Sequence, residues 1–148
     1  MKTRRIRREP RLSVPVRLEA WLFSRLLPLL LFRSDMTALT RLARSELPRL
    51  QYGLLEQDLD AIRALTTSVT RKPWLLRSRR CLRQSLVGSR LLRRAGLSHE
   101  IVFSVGEEFD DNEPLKAHCW LEIDGVPAVG EPIPQMIEVM RVPIEGRS

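Results

Sequence analysis

Cys81 and His118 are the two side chains in this sequence whose types and positions suit nucleophilic chemistry. Cys81 stands at the head of a stretch with helical periodicity that runs to Gly96. The first turn of a helix lowers a thiol pKa, because its amides and the helix dipole favour the negative thiolate. A buried cysteine that only fills space is the alternative interpretation of Cys81 taken by itself.

The predicted helix has two faces of different composition. One face carries arginines that we expect to be solvated: Arg83, Arg90, Arg93 and Arg94. The other face carries side chains suited to close packing of a helix on a sheet: Cys81, Ser85, Gly88, Leu92 and Ala95. Ser78 is suited to cap the start of this helix, and Gly96 to end it in a left-handed conformation.

His118 lies in the first of two segments separated by Asp124-Gly125, one of the strongest short signals for a β-hairpin. With a two-residue turn, Ile123 pairs with Val126, and counting outward places Glu131 opposite His118. Directly opposed residues have Cβ atoms about 5 Å apart, so the Glu131 carboxylate would orient and stabilise an imidazolium. Asp124 lies roughly 20 Å along the strand and is predicted to be a turn residue.

Cys119 follows His118 and points to the opposite face of the strand, so we expect it to be a core residue. A cysteine at a helix start, a histidine on a strand and an acid on the next strand match the logic of thiol catalysis. In that chemistry the imidazole accepts the thiol proton, the acid orients the imidazole, and helix-start amides stabilise the oxyanion. Asp124 or an acid from the loop at residues 106–114 is the alternative third member.

The chain changes from helical to alternating periodicity after the Cys81 helix, which predicts an α+β fold. Residues 1–11 form a basic arm, and residues 12–72 form a helical region suited either to packing or to docking a partner. Residues 73–148 form the core, with the nucleophile at a helix N-terminus packed on an antiparallel sheet.

Within the helical region, the first helix is expected over residues 16–32, where Pro28 kinks it or ends a first segment. A second helix runs from Ser34-Asp35 to about Leu47, and a third is expected over residues 54–65. Threonines and a serine at residues 66–70 weaken the third helix. In the core, alternation of Ile101, Phe103 and Val105 predicts a strand.

Charge divides the chain into two halves. Residues 1–95 carry 22 basic and 7 acidic side chains, a balance of +15, and residues 96–148 carry 3 basic and 11 acidic side chains, a balance of −8. Such asymmetry suggests either a basic half that binds a partner or a membrane, or mutual attraction of the two halves. No apolar run is long enough to span a bilayer and no signal peptide is evident, so we expect a cytoplasmic protein.

Two cysteines and two histidines provide no paired metal-ligand spacing, so no metal or cofactor is expected. No disulfide framework is implied, which agrees with a reducing compartment.

Beyond spacing, the sequence resembles the transglutaminase-like leader peptidases of lasso peptide biosynthesis in their stand-alone form. The resemblance covers about residues 73–143 and is carried by Pro73-Trp74, Arg80-Cys81-Leu82, Leu91-Leu92-Arg93-Arg94-Ala95-Gly96-Leu97 and His118-Cys119-Trp120-Leu121-Glu122-Ile123-Asp124-Gly125. Members are bacterial thiol proteases that remove the leader from a ribosomally made precursor. The resemblance implies Cys81 as nucleophile and His118 as base.

The resemblance also implies partner proteins, and it leaves the third member of the catalytic triad to be assigned. A small leader-recognition protein would deliver the precursor, and an ATP-dependent macrolactam cyclase would act afterwards. The family often has His-Ala-Trp where this chain has His118-Cys119-Trp120, and commonly has an Asp where Gly130-Glu131 stands. Glu131 is the predicted third member.

Two other functions stay open from the sequence. An inert basic module would bind an anionic membrane or nucleic acid through the helical half. No nucleic acid is expected, because the N-terminal aromatic residues are not interleaved with arginine as a stacking platform, whereas peripheral membrane contact remains an alternative. An acyl transferase with the same residues would pass through the same thioester as a peptidase.

Overall fold

The computed structural model describes residues 12–31, 35–44, 58–71, 79–106 and 116–146. In these residues helices precede strands, in the order α1 (Val14–Leu31), α2 (Met36–Arg44), α3 (Leu59–Thr70), α4 (Arg80–Arg94), β1 (His99–Gly106), β2 (Ala117–Ile123), β3 (Val126–Val129) and β4 (Met136–Ile144). The predicted α+β fold is confirmed. The arm at residues 1–11, Ser78 and most of the acidic loop lie outside the described residues.

The four strands form one antiparallel sheet in the order β3-β2-β1-β4. The β2–β3 hairpin turns at Asp124 and Gly125, whose φ angles of 50° and 77° match the left-handed pair that a two-residue turn needs. Ile123 pairs with Val126 across the turn, as the sequence predicts.

Helix α4 packs on the sheet through its small-residue face. A Cβ atom added at Gly88 would lie 2.9 Å from Leu121 Cδ1 and 3.2 Å from Val129 Cγ1, so any larger residue would force these side chains to move. Ser85 and Leu92 of the same face are buried. The prediction that this face meets a sheet is confirmed.

The opposite face of α4 is not solvated, and that prediction is wrong. Arg83 is 1% exposed and donates to the Thr70 carbonyl oxygen at 2.7 Å. Arg90 and Arg94 both pair with Glu19 of α1. The physical reason is that α1, α2 and α3 pack on this face, so α4 is sandwiched between the helices and the sheet. Helices and sheet therefore share one hydrophobic core.

The ends and interruptions of the helices follow local chemistry. Gly96 has φ 76°, Leu97 N–H donates to the Leu92 carbonyl, and Gly96 N–H donates to that of Arg93, which is a Schellman end. Pro28 lies inside α1 without ending it. Helix α3 continues to Thr70. The Thr70 hydroxyl donates to the Thr66 carbonyl oxygen at 2.7 Å, so its hydrogen bond is made within the helix.

Arg63 of α3 fastens the β3 edge of the sheet. Its guanidinium donates to the main-chain carbonyls of Pro127 and Ala128, the second at 2.5 Å and the first at 3.0 Å. None of the helices in the described ranges combines the length and apolarity needed to cross a bilayer.

Candidate active site

Cys81 is the second residue of α4, and its thiol is half-buried. Arg79 occupies the N-cap position and makes no side-chain cap hydrogen bond. The amides of the first turn are therefore not capped by Arg79, and they lie at the positive end of the helix dipole. This placement agrees with the position that the sequence predicts for Cys81.

Two adjacent residues of β2 act on the Cys81 thiol. The Cys119 side chain is its strongest partner, and the Cys119 main chain and the His118 imidazole add hydrogen bonds. Against the opposing cost of burial, Cys119 and His118 lower the pKa of the Cys81 thiol to about 5. A thiol in this environment is a thiolate at neutral pH, which is the reactive form.

Cys119 takes the opposite role in the same pair. It is 4% exposed, and its pKa is raised because its thiol donates to Cys81, because it is buried and because a thiolate on Cys81 repels a second negative charge. Cys119 therefore stays a thiol and acts as a donor. The sequence prediction that Cys119 is a buried residue is confirmed, but spacing gave no sign that it contacts the candidate nucleophile.

His118 is held by a main-chain oxygen. Its Nε2 lies 2.8 Å from the carbonyl oxygen of Glu131. A carbonyl only accepts hydrogen bonds, so Nε2 carries the proton, and Nδ1 is left as the nitrogen that can exchange a proton with a thiol. Glu131 thus contacts His118 through its main-chain carbonyl and not through its carboxylate. The residue itself is exposed to solvent.

A β-bulge explains why the carboxylate does not take the predicted position. Glu122 pairs with Pro127, whereas Leu121 pairs with Val129, so one extra residue enters β3 between these pairs. The count that places Glu131 directly opposite His118 is therefore wrong beyond Glu122. A two-residue turn does not by itself predict a bulge farther along the strands. Asp124 lies at the turn, as expected.

A chain of contacts supports the His118 ring from the other side. The ring stacks on Trp120 with centroids 5.9 Å apart and an interplanar angle of 23°. Trp120 Nε1 donates to Glu122 at 2.7 Å, and Glu122 accepts from Arg141 of β4 at 2.7 Å. Arg141 also binds Glu100 and Glu138, and these carboxylates raise its pKa. Glu122 is only 6% exposed, and its buried side chain is paired with Arg141.

A groove runs beside these residues. One cavity of about 410 Å³ is lined by Arg63, Thr67, Gln84 and residues 127–131. A second, of about 600 Å³, shares Arg63 and Thr67 and extends to Arg71 and Arg80. Together they lead from the Glu131 backbone to the start of α4, and their walls include Arg63, Arg71 and Arg80 together with the acid Asp60.

In the part of the chain that the structure describes, no three histidine, cysteine or acidic side chains lie close enough together to bind a metal ion. The second histidine, His99, is buried and bonded to Ser89 at 2.7 Å. Burial lowers its pKa, so it is a neutral residue of the core and no part of the candidate site.

Several contributors to the site were absent from the sequence predictions. Spacing identified Cys81 and His118, but the Cys119 donor, the Glu131 carbonyl and the Glu122–Arg141 pair are contacts between segments distant in the chain. One signal was available: alternation puts His118, Trp120 and Glu122 on one face of β2, and a Glu on a buried face requires a partner.

Comparison with known families gives one match. A sequence model of the transglutaminase-like superfamily covers residues 12–141, which include both the N-terminal helices and the sheet. Comparison with curated proteins and with solved structures returned no match. Members of this superfamily are in general cysteine peptidases or acyl transferases. The chain belongs to the transglutaminase-like superfamily.

Proposed function

We propose that this chain is a cysteine peptidase that removes the leader from a ribosomally synthesised lasso peptide precursor, with Cys81 as nucleophile and His118 as base. One observation carries the catalytic part: the Cys81 thiol at the start of α4 has its pKa lowered to about 5 beside Cys119 and His118. Membership of the transglutaminase-like superfamily supports thiol chemistry of this kind. The leader substrate rests on the sequence resemblance.

The reaction proceeds in two steps. The Cys81 thiolate attacks the scissile carbonyl carbon, and amides of the first turn of α4 stabilise the oxyanion. Collapse breaks the C–N bond, and the His118 imidazolium gives its proton to the departing amine, which leaves a thioester on Cys81. Water then attacks the thioester, His118 takes the water proton, and the leader leaves as a carboxylic acid with the thiolate restored.

Glu131 completes the triad in this proposal through its carbonyl oxygen. A carbonyl accepts the Nε2 proton and fixes the tautomer that presents Nδ1 to the thiol. It brings no negative charge, but thiolate–imidazolium pairs need less help from an acid than serine triads do.

The decisive experiment measures leader cleavage by wild-type protein and by Cys81→Ala and His118→Ala. Mass spectrometry follows the products with the precursor and a small leader-recognition protein present. We expect both variants to be inactive and folded, with Cys119→Ala active at neutral pH. Equal loss in Cys81→Ala and Cys119→Ala would assign a shared structural role and reject Cys81 as the sole nucleophile.

Hydrolysis and acyl transfer separate in the same assay. Cleavage in H₂¹⁸O should place ¹⁸O in the new leader carboxylate. If an added primary amine instead captures nearly all of the acyl group at low concentration, the chain is an acyl transferase.

A partner requirement follows from the resemblance to stand-alone leader peptidases. Addition of the recognition protein should lower KM for the precursor, because tethering raises the effective concentration of the leader. Full-rate cleavage by the purified chain alone would reject the requirement for a recognition protein.

A further inference from the structure

Helix α1 leaves half of its circumference uncovered by the residues that the structure describes. Its buried side, which packs on the rest of the protein, consists of Val16, Ala20, Ser24, Leu27, Pro28 and Leu31. The other side, which we call the apolar face, consists of Leu18, Trp21, Leu22, Leu26, Leu29 and Leu30. These side chains are 46–70% exposed, with Leu29 the most exposed of the six. At about 100° per residue, the apolar face is one continuous stripe.

The charges around the apolar face are positive. Arg25 lies within the stripe, with its guanidinium 5.4 Å from the Trp21 ring, and Arg17 is exposed beside it. Glu19, the sole acid of α1, is turned inward and pairs with Arg90 and Arg94. An anionic surface that contacts the apolar face therefore meets no negative side chain of this helix.

The sequence before α1 extends this positive charge. Residues 1–11 contain the basic side chains Lys2, Arg4, Arg5, Arg7, Arg8 and Arg11, against the single acid Glu9. This arm ends at residue 11, three positions before α1 begins at Val14. A basic segment directly joined to an exposed apolar helix face is the combination that binds helices to anionic lipid surfaces.

We propose that α1 docks this protein on an anionic lipid bilayer. The apolar face enters the boundary between headgroups and acyl chains, Trp21 lies at headgroup depth, and Arg17 and Arg25 contact lipid phosphates. The helix lies in the plane of the surface, since its buried side stays packed on the core. A second copy of the chain would have to bring its own Arg17 and Arg25 to the same stripe, which repulsion opposes.

The docking surface is separate from the candidate active site. Cys81 and His118 lie at the junction of α4 and β2, and none of the residues of the apolar face acts on the Cys81 thiol. Lipid binding is therefore independent of the proposed peptidase activity, and Cys81→Ala should bind vesicles as the wild type does.

Vesicle sedimentation with the full chain tests the proposal. Vesicles of phosphatidylcholine with an equal part of phosphatidylglycerol should bind the wild type at least on the order of tenfold more tightly than phosphatidylcholine alone, and high salt should reduce that difference. The triple variant Leu18→Glu/Leu22→Glu/Leu26→Glu should lose binding. Its matched control is Ile137→Glu/Val139→Glu, which changes two exposed apolar residues of β4 and should bind normally.

Tryptophan quenching gives a readout that does not depend on whether the triple variant folds. Brominated acyl chains in the anionic vesicles should quench fluorescence of the wild type, and Trp21→Phe should remove most of that quenching. Absence of vesicle binding by the wild type, equal binding to neutral and anionic vesicles, or quenching unchanged in Trp21→Phe would each overturn the proposal. A concentration-dependent dimer in light scattering that the triple variant dissolves would assign the apolar face to a second copy instead.

Discussion

The main-chain carbonyl of Glu131 lies 2.8 Å from His118 Nε2, so the imidazole is oriented by the backbone and the Glu131 side chain is exposed. In a serine triad this position belongs to a carboxylate. Here the conformation of residues 130 and 131 takes over that task, and the identity of the side chain at 131 becomes secondary.

Glu131→Gln should therefore keep kcat within about threefold of the wild type, because the carbonyl acceptor remains. Gly130→Ala should reduce kcat far more, since Gly130 has φ 76° and an added Cβ would lie 3.2 Å from Trp120 Cβ. Gly125→Ala is the matched control: its φ is 77° and nothing lies within 4 Å of its added Cβ. A large loss of kcat in Glu131→Gln, with Gly130→Ala no worse than Gly125→Ala, would return the role to the carboxylate.

Cys119→Ala should change the pH dependence of Cys81 more than its activity at neutral pH. With Cys119 present the pKa of Cys81 is about 5, so thiolate is present above that pH and is lost as the pH falls through it. Removing the Cys119 donor raises the pKa of Cys81, which moves the acid limb of kcat/KM to higher pH. Cys119→Ser should show a smaller displacement, because it keeps a donor.

The pH dependence of iodoacetamide alkylation at Cys81 measures this displacement directly, with Cys81→Ala as the blank. An alkylation profile in Cys119→Ala that superimposes on the wild type would show that Cys119 does not stabilise the thiolate.

Glu122→Leu should destabilise the fold and loosen His118. Trp120 Nε1 would lose its acceptor inside a site where Trp120 is 5% exposed, a loss worth about 1–3 kcal/mol in the free energy of unfolding. The stacked His118 ring would lose support, so kcat should fall with KM unchanged. Glu138→Gln is the control, since it removes an exposed partner of the same Arg141 and should leave both kcat and urea unfolding unchanged. Equal effects of the two substitutions would contradict a positioning role for Glu122.

Glu19→Gln should destabilise the packing of α1 on α4 without touching the site. The Glu19 carboxylate pairs with Arg90 and Arg94, whose side chains are 11% and 17% exposed, and burial already lowers the pKa of Arg90 to about 10. Two largely buried cations would lose the counter-charge of Glu19, at a cost of about 2–3 kcal/mol in urea unfolding. Asp60→Asn, which breaks an exposed pair with Arg63, should cost less than about 0.5 kcal/mol. Similar costs for both variants would show that the Glu19 pairs are screened by solvent.

Local signals were sufficient for the helix–sheet core of the site. Small residues at a helical period predicted the face of α4 that meets the sheet, and Asp124-Gly125 predicted the turn between β2 and β3. Strand β4 had no such signal, because apolar residues such as Ile137 and Met140 occupy both of its faces and leave no contrast at a period of two.

Local sequence patterns did not predict the contacts between residues that are distant in the chain. The arginines of α4 look solvated from the helix alone, and only the packing of three other helices shows that they are covered. Likewise, the bulge in β3 decides which group of Glu131 meets His118, and its cause lies in the pairing of two strands and not in the turn.

Arg63 has a consequence for how the sheet can grow. Its guanidinium already occupies the carbonyls of Pro127 and Ala128, and Pro127 has no N–H to offer, so β3 lacks the alternating donors and acceptors that an incoming strand requires. The edge nearest Glu131 is thus closed to strand addition, both by a neighbouring molecule that would start a fibre and by an extended peptide. Under the proposed function, a peptide that reaches Cys81 would therefore be bound by side chains along the groove and not by pairing with β3.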